Sequence, residues 1–313
     1  MARAYGWNAQ LLIAEETTYG TLATTDYTKV PFASSSVDSE QGLVSSNVLG
    51  LGRDPTQPFQ DVINVGGDIA IPIDLRSLGI WLKAIFGEAT STEDDDIFTH
   101  VFESGKSTIP SYSIELGLPQ IPEYVRFTGV KADSIAFNFA RSGEAQATIA
   151  LLAQGESAST TSIQSSPAVN TYTRFSQYQG SLESDGVILA NVTTASVTYS
   201  NNLEKIETIR DDGKVEAIDI GVASLSGSIS VRYGDNDLMN KARAGTPVDL
   251  TFAYTLSTTQ KIVITCHEVY LPKPKRSISG PGGIECSYDF QGSKNDTLGK
   301  MMTVTLINDI EEY

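Results

Sequence analysis

The sequence predicts a mainly β protein of two tandem β-sandwich or β-barrel domains, each with one flanking α-helix. Three observations carry that expectation. Short apolar-alternating runs bounded by Gly, Pro, Asn, Asp and Ser recur along the chain, the pattern of half-buried antiparallel strands. Residues 65–87, VGGDIAIPIDLRSLGIWLKAIFG, change period midway. Ile69, Ile71 and Ile73 alternate as in a strand, and Leu78, Trp81, Leu82 and Ile85 then take the i, i+3, i+4, i+7 spacing of a helix face. The same succession returns at 224–245, SLSGSISVRYGDNDLMNKARAG. There Ile229, Val231 and Tyr233 alternate, and Leu238, Met239 and Ala242 share a helix face. A strand-to-helix module met twice points to an internal duplication.

The elements follow in order. Residues 1–29 hold one apolar patch, Leu11-Leu12-Ile13, in Thr-, Tyr- and Gly-rich sequence, and read as an N-terminal arm. A strand is expected at 30–37. A polar connection at 40–59 then carries Gly42, Gly50, Gly52, Pro55 and Pro58; its length and ordered flanks favour a projecting hairpin or loop. In the module Asp74 and Ser77 are both able to cap the helix and Gly87 to stop it; Asp235 or Asn236, with Gly245, serve the second copy. An acidic turn lies at 92–96, and strands are expected at 98–102, 111–116, 124–128, 133–140 and 145–153. Residues 154–170 are Ser/Thr-rich and read as a linker. Beyond it, strands at 187–190, 193–199 and 218–220 flank a polar stretch, 200–215, with a turn at Asp211-Asp212-Gly213. The module follows, then strands at 248–256 and 261–271. Residues 127–140 lie over 278–291 without a gap, and 147–152 over 302–306. The expected organisation is an arm at 1–29, domains at 30–153 and 171–313, and the linker between them.

The 313 residues allow about two domains, each able to bury a core. A formal net charge of −16 opposes a sequence-independent grip on DNA, which needs clustered Lys and Arg. It fits plain solubility, or a passage along which a polyanion slides without sticking. The start, MARAYGWNAQ, lacks the build of a signal peptide, and no run of about eighteen apolar residues occurs. With two cysteines, Cys266 and Cys286, a disulfide framework is not expected, and a reducing cytoplasm is.

Chemistry is sparse. His100 and His267 fall in separate expected strands, where a locally satisfied residue is the plain reading. GLGRDP at Gly50 lacks the spacing and following helix of a phosphate loop, and no GxSxG, HExxH or CxxC is present. The acidic turn offers oxygens to a hard cation but not the DxDxDG spacing, so it reads as a solvated loop. Cys266 and Cys286 fall in neighbouring expected strands and read as buried thiols before a disulfide. Lys273, Lys275 and Arg276 form the one basic cluster, suited to DNA or, in so acidic a chain, to an acidic neighbouring subunit.

PFQDVINVGGDIAIPIDLRSLGIWLKAIFG at 58–87, FTHVF at 98–102 and PSYSIELG at 110–117 resemble the tail tube (major tail) proteins of long-tailed bacteriophages. The resemblance runs from about Ala2 to the C-terminus and is strongest over 59–153. It implies a structural role: inner strands of successive subunits join into a β-barrel lining a channel, and rings stack through loops and arms. DNA then passes down an acidic lumen without specific binding. Two domains per chain favour a homotrimer with pseudo-sixfold symmetry over a hexamer. Lumen-facing candidates are Asp68, Glu115, Asp133, Glu216, Asp219 and Glu285. Inter-ring candidates are Arg53, Asp54, Phe59, Arg210, Asp211 and Asp212. The resemblance further implies tape measure, terminator and distal tail proteins as partners at the tube ends, and a virion tail assembled in the host bacterial cytoplasm. It implies no catalytic residue, cofactor, metal or membrane. The alternatives are a secreted or surface β-sandwich binding module, which calls for a secretion signal and exposed aromatics, the tube of a contractile injection system, and a tail-associated hydrolase.

Overall fold

The computed structural model of the chain describes residues 3–276, 278 and 280–313. Met1 and Ala2 of the expected arm, with Ser277 and Ser279 beyond the basic cluster, lie outside the described residues. The chain is mainly β. Its first half holds β1 (Gln10–Glu15), β2 (Thr28–Val30), β3 (Ser34–Ser35), β4 (Asp38–Val44) and β5 (Phe59–Pro72), then helix α1 (Leu78–Phe86). β6 (Thr90–Asp94), β7 (Ile97–Glu103), β8 (Tyr112–Leu118), β9 (Glu123–Phe139), β10 (Gln146–Ala153), β11 (Gly155–Ser159) and β12 (Ala168–Val169) follow. The second half holds β13 (Gly180–Ser184), β14 (Val187–Ile188), β15 (Val192–Ser200), β16 (Glu204–Ile206), β17 (Ala217–Asp219) and β18 (Ser224–Arg232). Helix α2 (Asp237–Ala244) leads into β19 (Val248–Ser257), β20 (Gln260–Tyr270), β21 (Glu285–Gly292) and β22 (Met302–Asn308).

Alternation decides the central layer. Seven antiparallel strands run in the order β4, β5, β10, β9, β15, β18, β21. On one face Ile69 and Ile71, Ile149 and Leu151, Ile135 and Phe137, Val197 and Tyr199, Ile229 and Val231, and Tyr288 and Phe290 are buried. Two outer layers cover that face. One runs β2, β1, β8, β9, β11, and the other β6, β7, β22, β20, β19, β13, β14. β9 belongs to two layers. Its beginning pairs with β8 and β11, its end with β10 and β15. The sequence pattern expected two strands, at 124–128 and 133–140, because Gly129 and Asp133 are turn formers. Gly129 does take φ 62°, but the strand continues through it, and Asp133 is the extra residue at a register shift opposite Ala150 and Leu151.

The pairings of the two halves replay one another. β1 pairs with β2 and β8, and β13 with β14 and β19. β5 lies between β4 and β10, and β18 between β15 and β21. β8–β9 and β19–β20 are hairpins whose second strand is flanked at one end by β11 or β22 and at the other by β10 or β21. By pairing, then, β10 corresponds to β21 and β11 to β22. The gap-free overlay of 127–140 on 278–291, and of 147–152 on 302–306, is one strand out of step. It followed a Gly-then-alternation texture that both strands share. The β6–β7 hairpin has no counterpart after α2 among the described residues. It extends the second half's sheet instead, β7 pairing with β22 from Glu103↔Thr303 to Phe98↔Asn308.

Two further expectations change. Gln10–Glu15 is not part of an arm: Leu11, Leu12 and Ile13 are buried between β2 and β8, because three consecutive apolar residues need cover on both faces. The 154–170 segment is partly in register as well, β11 lying beside β9 and β12 running parallel to β2.

Both helices end on the expected glycines, Gly87 (φ 78°) and Gly245 (φ 64°), whose N–H groups reach the Lys83 and Lys241 carbonyls. Of the two expected caps for α1, Ser77 stands at the N-cap position without a side-chain cap bond, and Asp74 holds the turn that leads into the helix. Fully buried, it accepts the N–H groups of Arg76 and Ser77 at 3.2 and 2.7 Å and that of Thr173, from the second half, at 2.6 Å. Arg76 forks onto Asp309 with two 2.7 Å bonds. This docks the tail that carries Tyr313 over Gly79, where a Cβ would sit 2.2 Å from the tyrosine ring. Hydrogen bonds from Arg76 hold the Asp309 carboxyl below its ordinary 3.8. A depressed carboxyl stabilises the fold fully above that value, and the gain is lost as pH falls through the lower folded value. The urea-midpoint gap between wild type and D309N is therefore expected to be constant from neutral pH down to about 3.8 and to close below it.

Candidate assembly surfaces

Among the described residues no outer layer covers the second face of the seven-strand sheet. Across one level, Ala70, Thr148, Ala136, Thr198, Ser226 and Gln291 stand side by side, and across the next Asp68, Ala150, Ser134, Ser200 and Ser224. Hydroxyls bond across the strands, Ser196 to Ser228 at 3.1 Å and Ser230 to Ser287 at 3.4 Å. Carboxylates are spread over the same face: Asp38 and Glu40 opposite Gly66 and Asn64 on β5, Asp68 itself, and Glu285 and Asp289 on β21. All five are exposed. Two cations share the face, Arg232 beside Glu285 at one end and Lys131 at the other. Burial lowers the Lys131 amine from 10.5, and it donates to the Ile218 carbonyl where the β16–β17 hairpin meets the sheet.

Of the expected lumen residues, Asp68 and Glu285 share this face. Asp133 sits half-buried at the β9 bulge, accepting the Leu203 N–H at 2.7 Å. Glu216 and Asp219 are exposed beside and on β17. Glu115 is not a surface residue at all. It lies on β8 in the other layer, fully buried, bonded to Arg126 at 2.8 Å, to the Ser162 hydroxyl at 2.6 Å and to the Ile163 N–H at 2.8 Å. Alternation had given it a side but not a layer. Asp38, Glu40 and Asp289 were missed, although E-C-S-Y-D at 285–289 and S-L-S-G-S-I-S at 224–230 spell the pattern: a small or acidic residue at every second position.

Two edges of this sheet carry no further strand among the described residues. One is β3–β4, which pairs with β5 alone; the other is β21 over Glu285–Phe290, which pairs with β18 alone. Unpaired edges are templates for another chain.

The inter-ring candidates gather at one end. The 45–58 loop leaves β4 and returns at β5, and the 207–215 stretch lies against 62–64, with the Ile63 N–H on the Gly213 carbonyl at 3.0 Å. Arg53, Asp54 and Phe59 are exposed, as is Asp211. Arg210 forks onto Asp212 at 2.8 and 2.7 Å, which holds that carboxyl well below the usual range and makes a rigid turn of it. Apolar side chains also stand exposed here: Leu43, Val48, Leu49 (93% exposed), Leu51, Phe59, Val62, Ile209 and Val222.

The histidines, cysteines and acidic turn that the sequence singles out have local roles. His100 is buried between the Ser91 hydroxyl and the Ile310 carbonyl at 2.7 and 2.8 Å, and burial pushes its imidazole below 6.5. His267 meets the Thr303 hydroxyl at 2.7 Å. Cys266 and Cys286 are buried free thiols, and burial pushes Cys266 far up, away from reactive thiolate. The acidic turn is the tip of the β6–β7 hairpin, with Asp95 and Asp96 at φ 49° and 61°. No group of three or more His, Cys, Asp and Glu able to hold a metal occurs among the described residues. In the basic cluster Arg276 lies 4.8 Å over the Tyr233 ring.

A bare polar sheet face, two open edges and an apolar loop end are surfaces of the kind through which β subunits join other chains. The chain belongs to the phage tail tube protein family: the family model described as phage tail tube protein matches residues 6–292, nearly the whole length. That family is structural and non-enzymatic, and the chain is accordingly a component of the virion tail. A comparison with curated proteins finds no match.

Removing the buried Glu115 carboxylate leaves the half-buried Arg126 guanidinium and the Ile163 N–H without their acceptor, so E115A is expected to cost about 3 kcal/mol in urea unfolding. E115Q, which keeps the shape and part of the bonding, is expected to lose less.

Proposed function

We propose that this chain forms stacked rings around a negatively charged channel through which viral DNA is delivered into the host cell. The observation that carries the reading is the continuous seven-strand sheet, bare and acidic on one face and open at both edges. Pairing the β21 edge of one copy with the β3–β4 edge of the next extends the sheet without a break and leaves no edge exposed once the ring closes. The bare face becomes the channel wall. Its carboxylates at Asp38, Glu40, Asp68, Glu285 and Asp289 repel phosphate, and its short hydroxyls offer DNA little to catch on. Glu216 and Asp219 extend that charge to the rim, and Asp133 lies behind it.

Each chain supplies two tube units, one over 30–153 together with β1 and β2, the other over 171–313. Three copies then do what six single units would, and a homotrimer with pseudo-sixfold symmetry is favoured over a hexamer. The 45–58 and 207–215 loops, with Arg53, Asp54, Phe59, Arg210, Asp211 and Asp212, face the adjacent ring. Tape measure, terminator and distal tail proteins cap the tube ends, and assembly proceeds in the host bacterial cytoplasm.

Negative-stain microscopy and native mass spectrometry of the purified chain test this reading. Stacked rings with a central channel and a trimer mass are expected; monomers at every concentration would sink the proposal. Tubes of D68K/D289K are further expected to retain DNA at low salt and release it steeply as salt rises, while wild-type tubes retain none.

A further inference from the structure

We infer that the apolar tip of the 45–58 loop seats in a groove at the opposite end of the sheet on a second copy of this chain. The inference rests on the tube reading and names the receiving surface that reading leaves open. The groove is the mouth between the seven-strand sheet and the layer holding β13 and β19, with a volume of about 470 Å³. Phe139 and Phe252, stacked at 4.9 Å, line its floor, and Leu182, Ile188, Leu189 and Ala195 its sides. Ile188 on its rim is exposed. The tip carries Val48, Leu49 and Leu51, all exposed, and Gly50 and Gly52 on either side of Leu51, at φ 90° and 107°, turn the backbone sharply.

Position separates the two surfaces. β15 starts at the groove with Val192 and ends at Ser200, where the chain enters the segment whose 207–215 stretch lies against 62–64, at the end of the sheet from which the 45–58 loop projects. Its nine residues span roughly 30 Å, so a chain cannot fill its own groove with its own tip. A projection at one end and a matching hollow at the other make a head-to-tail contact, which propagates along an axis instead of closing on itself. The open strand edges run along the sides of the sheet, so lateral and axial contacts use different residues. Arg141 on the groove, and Arg53 and Asp54 in the loop, have no ion-pair partner within the chain among the described residues, and the contact offers the Asp54 carboxylate to Arg141. Covering three aliphatic side chains removes an apolar patch that a solitary chain leaves in water.

Two experiments on the full chain test this. L49D/L51D and, separately, I188D change exposed side chains, and circular dichroism and thermal unfolding are expected to match wild type. Either variant is expected to form rings of wild-type mass whose tubes, measured by microscopy, are at least tenfold shorter. Copies carrying L49C, co-assembled with copies carrying I188C and mildly oxidised, are expected to give covalent heterodimers; the native thiols are buried and stay out of the reaction. Wild-type-length tubes from L49D/L51D, or assembled tubes that give no heterodimer, would overturn the inference while leaving the tube reading standing. Failure of wild-type protein to form rings overturns both.

Discussion

The rest of the structure depends on one strand passing through two sheets. A strand offers a single edge to each neighbour at any level. β9 uses its first residues to hold β8 and β11, and its last to sit between β10 and β15. That double membership ties the outer layer of the first half to the central sheet and carries the central sheet into the second half. The bend between the two roles is built from a glycine that an added Cβ would drive to 2.8 Å from Gln154, and from an unpaired aspartate that fastens the next segment at Leu203. The β7–β22 pairing and the Arg76–Asp309 fork join the halves a second time. With β9 bent, the two halves share one apolar core from Leu11 to Leu306.

The composition of the bare face follows from its position. Serine and threonine suit a pleated surface that must stay in water yet keep a flat profile: their hydroxyls find partners on the adjacent strand, and no long side chain projects. Arg232 and Lys131 stand at the two ends, one beside a carboxylate and the other turned to a backbone carbonyl. The middle is left with neutral hydroxyls and scattered carboxylates.

Much of this was legible in the residues. The strand-to-helix module, both C-terminal glycines and the placing of two long loops followed from spacing alone, because period and turn chemistry are local properties. What was not legible was long-range. Leu11-Leu12-Ile13 gave no sign of which strands would cover it, and Glu115 alternates as regularly as any surface carboxylate until Arg126, eleven positions on, folds back against it. The repeat was visible in its first part and misaligned in its last. Low-identity strands share a texture, and only hydrogen-bond partners distinguish β10 from β9 as the counterpart of β21. Asp289 was overlooked for a simpler reason: it lies within a stretch read for its repeat and not for its face.

The β7–β22 pairing carries a consequence for how the chain comes into being. Glu103 meets Thr303, 200 positions later, and the tail beyond β22 closes over α1 through Arg76 and Gly79. Contacts of such sequence separation form late, after the loop between them has been organised. During synthesis the β6–β7 hairpin emerges with one edge of β7 unpaired, and β22 completes it only once that strand has been made. A chain cut short before β22 lacks that pairing. The placing of one strand thereby makes the sealing of an early hairpin depend on residues made some 200 positions later.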